Sequence, residues 1–196
     1  MIWNEKMGSE NTKKNKTGEN TLPGDVPPDE MIKRIIRVDQ AGEYGAQRIY
    51  AGQLAVTKKN SLRKKIQMMA DHEKDHLEIF NNLMLERKIR PTALQPVWHV
   101  LGFALGATTA LMGEKSAMAC TVAVEEVIDE HYAKQANYLG NDENQLREII
   151  LDTREDEIEH KNIASNSLEK IETDLQPLRF VIKKGTKLAI WLSERI

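Results

Sequence analysis

An all-α fold, a four-helix bundle with two additional helices, is predicted by three observations. Charged residues make up 30% of the 196 and aromatics 5%, and glycine and proline are sparse outside a few places. That balance favours long helices over strands. Apolar residues recur at helical spacing through segments separated by turn residues. On two of those apolar stripes stands the same motif, Glu73-x-x-His76 and Glu157-x-x-His160, 84 residues apart.

The length suits one domain with a full core. A net charge of −2 gives no sign of nucleic-acid binding. Cys120 is the single cysteine, which excludes a disulfide framework and a cysteine zinc cluster and fits a reducing compartment. Residues 1–30 read as a flexible polar tail and 31–196 as the folded domain. The tail lacks the apolar core of a secretory signal. It carries Glu5, Glu10 and Glu19 and no arginine, unlike a mitochondrial presequence.

The first helix is expected over about 30–57, with Asp29 as its cap. Ile36, Gln40, Glu43, Gln47 and Tyr50 lie along one of its faces. Gly42 and Gly45 flank Glu43 although each weakens a helix by about 1 kcal/mol relative to Ala. They signal either a close backbone or ligand, or ordinary tight packing. The second helix, about 61–87, aligns Ile66, Met69, Glu73, His76, Phe80 and Leu83, so its two polar residues point inward, where they need partners or a metal. After Arg90-Pro91-Thr92 comes an apolar stretch, 97–113, slightly short of the about 20 residues a spanning helix wants. It is either a buried helix of the bundle or an embedded, non-spanning membrane segment. Gly102 and Gly106 have the small-residue spacing of close helix contacts.

The fourth helix, about 116–139, offers Glu125 and Glu126. Spacing does not choose between them. The apolar stripe of Met118, Val122, Glu125, Ile128 and Tyr132 favours Glu125, whereas Glu126 shares a face with Asp129 and Glu130. Gly140-Asn141-Asp142 ends this helix and caps the next. The fifth, about 143–171, turns Ile149, Ile150, Thr153, Glu157, His160 and Ala164 inward. The last, about 178–194, sets Lys183, Lys184, Lys187 and Arg195 beside an apolar surface. It either packs on the core or lies on an anionic membrane.

Positions three apart in a helix share a face, so each Glu-x-x-His can grip one metal ion. Glu43 and Glu125 stand 30 and 32 residues before the two motifs. Four Glu and two His suit two iron or manganese ions rather than structural zinc. This is the pattern of the ferritin-like di-iron carboxylate proteins, whose bridged ions act together on dioxygen. A rival uses the same stretch: His72-Glu73-x-x-His76 matches the zinc metalloprotease signature, with His72 and His76 on zinc and Glu73 as base.

Asp39-Gln40-Ala41-Gly42-Glu43-Tyr44-Gly45-Ala46, Glu73-Lys74-Asp75-His76-Leu77, Leu101-Gly102-Phe103-Ala104-Leu105-Gly106, Val122-Ala123-Val124-Glu125-Glu126 and Leu192-Ser193-Glu194-Arg195 closely resemble the demethoxyubiquinone hydroxylase family of ubiquinone biosynthesis. The resemblance covers about residues 31–196. It implies a ferritin-like di-iron monooxygenase that hydroxylates a polyprenyl benzoquinol ring with O2. Two Fe ions would sit on Glu43, Glu73, His76, Glu125, Glu157 and His160. The family's His-Tyr electron relay falls on His131 and Tyr132, with Glu130 where many relatives carry a second His. The electron donor is open: the quinol, an NADH-dependent partner, or NADH itself, for no Gly-x-Gly-x-x-Gly fingerprint is present. A ferritin-like iron oxidase or store, and another quinol-directed di-iron oxidase, are the alternatives. The expected setting is peripheral, on the cytoplasmic face of a bacterial inner membrane, with other ubiquinone-biosynthesis proteins as possible partners.

Overall fold

A computed structural model describes residues 24–168 and 175–196. Among them are six helices and no strand: α1 (Pro28–Val56), α2 (Asn60–Glu86), α3 (Gln95–Leu111), α4 (Glu114–Leu139), α5 (Asn144–Leu168) and α6 (Gln176–Ser193). The expected continuation of α5 to residue 171 lies outside the described residues.

The early starts of α1, α3 and α6, each about two residues before the expected one, have one reason. Pro28, Pro96 and Pro177 each stand in the first turn of α1, α3 and α6. There a missing N–H leaves no hydrogen bond unmade, so proline starts a helix rather than preceding it. Asp29 is therefore not the cap of α1. Pro27 holds that position, and Asp29 lies in the first turn, where its charge suits the helix dipole.

Two apolar layers locate the four helices of the bundle. One joins Ile35 and Ile36 of α1, Phe80 and Leu83 of α2, Leu139 of α4 and Leu146 and Ile150 of α5. The other joins Tyr50 of α1, Ile66 and Met69 of α2, Met118 and Val122 of α4 and Ala164 of α5. The start of α1 thus meets the ends of α2 and α4 and the start of α5. Since α2 and α4 run the same way, α3 must carry the chain back along the bundle. Its 17 residues reach about 25 Å at 1.5 Å per residue. Between the two apolar layers lies a polar one, which contains both Glu-x-x-His motifs.

α3 lies against α1 and α6 against α4. Glycines set the first contact. A Cβ at Gly106 would overlap the Ile49 carbonyl, one at Gly52 would overlap the Phe103 carbonyl, and one at Gly102 would come 3.0 Å from the Gly45 carbonyl oxygen. Tyr44 Oη meets Nδ1 of His99, the imidazole in this apolar helix, at 2.5 Å. Gly113, at φ 114°, turns the chain from α3 into α4 in a conformation that other residues resist. No helix among the described residues is long and apolar enough to cross a membrane.

Gly42 and Gly45 serve otherwise. A Cβ at Gly45 meets nothing within 4 Å, and both glycines line a cavity of about 280 Å³ between α1, α3, α4 and α6. Gly106→Ala should accordingly destabilise the fold by about 1–3 kcal/mol through overpacking. Gly45→Ala should be neutral or stabilising by up to about 1 kcal/mol. Thermal melts of the two variants check this, and equal losses would contradict the assignment of close contact to Gly106 and open space to Gly45.

Candidate metal centre

The polar layer is built by side chains from all four bundle helices. Glu43 comes from α1, Glu73 and His76 from α2, Glu125 from α4, and Glu157 and His160 from α5. None is more than 4% exposed. Ligand-capable atoms of Glu43, Glu73, His76 and Glu157 lie within 4.8 Å of one another, and so do those of Glu73, Glu125, Glu157 and His160. Glu73 and Glu157 belong to both groups and stand between them, whereas Glu43 with His76 and Glu125 with His160 occupy the two ends. Each half of the chain supplies one Glu, Glu and His and lends one carboxylate to the other half's set.

The atoms face a common space more than they face each other. His76 Nδ1 lies 3.5 Å from Glu43 and 3.3 Å from Glu157. His160 Nδ1 lies 3.3 Å from Glu73 and 3.2 Å from Glu157. Both oxygens of Glu73, one of Glu43 and Nδ1 of His76 have no hydrogen-bond partner although all are buried. Orphaned buried polar atoms are rare and need an explanation. A pair of divalent cations among six such donors supplies one, and the oxygen-rich donor set fits iron or manganese.

Electrostatics carries the same signature. Burial, then the neighbouring carboxylates Glu157 and Glu43, push Glu73 well above the usual carboxylate range. Burial and Glu157 do the same to Glu125. Burial works against a charged His76, but Glu157, Glu43 and Asp156 prevail and lift it to about 11. Burial likewise opposes the charge on Glu157, yet His160 and His76 hold it below its ordinary value. Protons thus take the place that cations would fill.

A surrounding layer holds these six. Tyr50 donates to Glu125 at 3.0 Å, and Tyr132 donates to Glu43. Each tyrosine lies seven residues after one end glutamate and bonds to the other one. His76 Nε2 meets Asp156 at 2.9 Å, and His160 Nε2 meets His72 Nδ1 at 3.2 Å. The zinc protease arrangement is not formed, since His72 joins neither ligand group among the described residues. Glu126 stays outside, bridged to Arg179 at 2.8 Å and Lys183 at 2.5 Å. Glu130 faces outward and pairs with Lys187 at 2.9 Å.

Tyr132 therefore touches the cluster directly, and His131 lies one layer out. Gln135 Nε2 sits 2.8 Å from His131 Nε2 and donates to Asp39 at 2.7 Å. Asp39 is buried, which raises its pKa against the opposing effect of His131. Sequence reasoning placed Tyr50 on the right face without a role and passed over Asp39, Gln135 and Asp156. The seven-residue Glu-to-Tyr spacing, present twice, was the signal that could have found Tyr50.

The family model described as ubiquinone biosynthesis protein COQ7 matches residues 30–193. The chain belongs to that family. It is 50% identical over 182 residues to the 3-demethoxyubiquinol 3-hydroxylase of Rhodospirillum rubrum, covering 92% of this chain and 86% of that protein. It is 50% identical over 171 residues to the mitochondrial NADPH-dependent 3-demethoxyubiquinone 3-hydroxylase of Bos taurus, covering 85% and 79%. Over 183 residues it is 39% identical to the mitochondrial 5-demethoxyubiquinone hydroxylase of Saccharomyces cerevisiae, covering 85% and 78%.

In this COQ7-family chain Glu73, Glu125 and His76 hold protons above their ordinary range, so cations enter only as protons leave. Acid restores the competing protons, and affinity must fall with pH. Manganese(II) binding at pH 6 should be weaker than at pH 8 by about tenfold or more, with protons released to buffer on binding. Calorimetry in buffers of different ionisation enthalpy measures both, and a pH-independent affinity would contradict the account.

Proposed function

We propose that this chain hydroxylates the ring of a demethoxy polyprenyl benzoquinol with dioxygen, at a centre of two iron ions held by Glu43, Glu73, His76, Glu125, Glu157 and His160. One observation carries the reading furthest. The apolar cavity between α1, α3, α4 and α6 shares Ala46, Ile49 and Val124 with a narrow crevice whose far wall is Tyr50 and Glu125. A flat apolar ring in the cavity would stand beside the carboxylate cluster, among apolar side chains. An iron store needs no such chamber. Membership in the family and the hydroxylase names of its relatives support the same substrate class.

When bound, the two iron ions would supply the activation of dioxygen; one oxygen atom enters the ring and the other leaves as water, which consumes a pair of electrons. The chain's own residues would do the rest. Ile49, Leu105, Val124 and Ile128 grip the ring, and Gly42 and Gly45 keep its space open. Tyr50 and Tyr132 fix the end carboxylates by donating to them. Tyr132, in contact with Glu43, and His131, half-buried beside it, would form an inward path for electrons. The donor in the names of the cattle and human relatives is NADPH, and a reduced nicotinamide is the donor proposed for this chain, acting directly or through a partner protein.

The substrate's lipid tail supports a setting on a membrane surface, with a cytoplasmic inner-membrane face as the proposed location. Leu101 is a wall of the cavity and is also 55% exposed, and Val100, Phe180, Val181 and Leu188 add exposed apolar surface on α3 and α6. An apolar patch of this kind suits contact with lipid. The basic residues of α6 contribute less than their number suggests. Lys183, Lys187 and Arg195 are each paired with a glutamate.

Purified protein given Fe(II), dioxygen, a reductant and a demethoxy quinol should yield a ring-hydroxylated product by mass spectrometry. Glu125→Gln should abolish it and Glu126→Gln should not. With Val100→Glu and Phe180→Glu combined, both exposed and outside the cavity lining, a short-tailed soluble quinol should still be hydroxylated, and a long-tailed one in liposomes should not. No product from either quinol would sink the hydroxylase reading. Equal use of both by the double variant would sink the membrane one.

A further inference from the structure

The two Glu-x-x-His motifs differ in the residue that precedes each: His72 before Glu73, and Asp156 before Glu157. The fold crosses them over. Asp156 of α5 backs His76 of α2 at 2.9 Å, and His72 of α2 backs His160 of α5 at 3.2 Å. Both contacts are to Nε2, the ring atom turned away from the carboxylates, while Nδ1 of each ring faces them. The His72 and His160 rings also lie face to face, with centroids 5.3 Å apart and planes 29° apart.

An imidazole that binds a cation through Nδ1 carries its proton on Nε2, and that N–H needs an acceptor to fix tautomer and ring angle. For His76 the acceptor is a carboxylate. For His160 it is a ring nitrogen, Nδ1 of His72. We propose, resting on the metal-centre reading above, that His72 is the positioning residue of His160, and that it makes the two cation sites unequal. The His160 end, with Glu73, Glu125 and Glu157, is backed by an imidazole nitrogen rather than a carboxylate and holds its ion less tightly. The His76 end is backed by the charge of Asp156, which raises ligand basicity, and holds its ion more tightly. The His-Glu-x-x-His match of this chain is then an outer support for a ligand on another helix.

The test is a titration of the metal-free full chain with manganese(II) alone, read by electron paramagnetic resonance, with thermal melts as a check on folding. Wild type should take up two ions in two steps of unequal affinity. His72→Ala and His72→Phe should weaken one step by about 10–100-fold and spare the other. His72→Asn, which sets an amide oxygen near the place of Nδ1, should recover wild-type binding to within a few-fold. Asp156→Ala should weaken the opposite step, so that only one site is lost in each variant. If His72→Ala fails to fold, the Phe and Asn pair decides alone. Unchanged binding in His72→Ala, or Asn as weak as Phe, overturns the role of His72 and leaves the metal centre standing. Wild type that binds no ion overturns both.

Discussion

Four carboxylates and two imidazoles share one dry layer of this molecule, and the fold is arranged to tolerate them. An isolated buried carboxylate is strongly unfavourable unless it is neutralised or paired. Here the neutralising groups are protons on Glu73 and Glu125 and the charged ring of His76. Apolar layers above and below, centred on Phe80 and Leu146 at one end and on Ile66 and Met118 at the other, supply the burial that offsets this cost. The same burial leaves four ligand-type atoms without partners. Stability and affinity for cations are thus opposed in the bare chain, and cations in place of the protons would reconcile them.

An internal two-fold correspondence explains how so few residues suffice. Glu43 and Tyr50 correspond to Glu125 and Tyr132, each 82 residues on, and Glu73 and His76 correspond to Glu157 and His160, each 84 on. The supports cross between the halves: Tyr50 bonds to Glu125, Tyr132 to Glu43, Asp156 to His76 and His72 to His160. No half can form its site alone. The two added helices follow the same correspondence, because α3 lies on α1 and α6 on α4. The apolar cavity forms between those four helices, on the side where a narrow crevice borders Glu125 and Tyr50.

The fold class and the six central residues were legible because both depend on local spacing. Three-residue spacing places Glu73 with His76 and Glu157 with His160 whatever the tertiary structure, and the Met118–Val122–Glu125 stripe separated Glu125 from Glu126. Residues whose role is set by another helix were not legible. Asp156 and His72 look like surface positions along their own helices, and only the crossing of α2 and α5 turns them onto a ligand. Helix starts fall about two residues before the expected ones at Pro28, Pro96 and Pro177, because the apolar spacing begins only after the proline that opens each helix. The cavity was hinted at by Gly42 and Gly45, but a glycine reports that space is needed without saying what fills it. The lysines of α6 read as a basic face because their partners, Glu126 and Glu130, lie on α4.

On the proposed reading, one layer of four helices holds two cations through six residues, with Glu73 and Glu157 shared. Anomalous X-ray diffraction at the iron edge, from crystals grown with Fe(II) under anaerobic conditions, tests it most directly. The account predicts two peaks in that layer, one contacted by Glu43 and His76 and the other by Glu125 and His160, with Glu73 and Glu157 touching both. A single peak, or one bound by His72 together with His76, would contradict it.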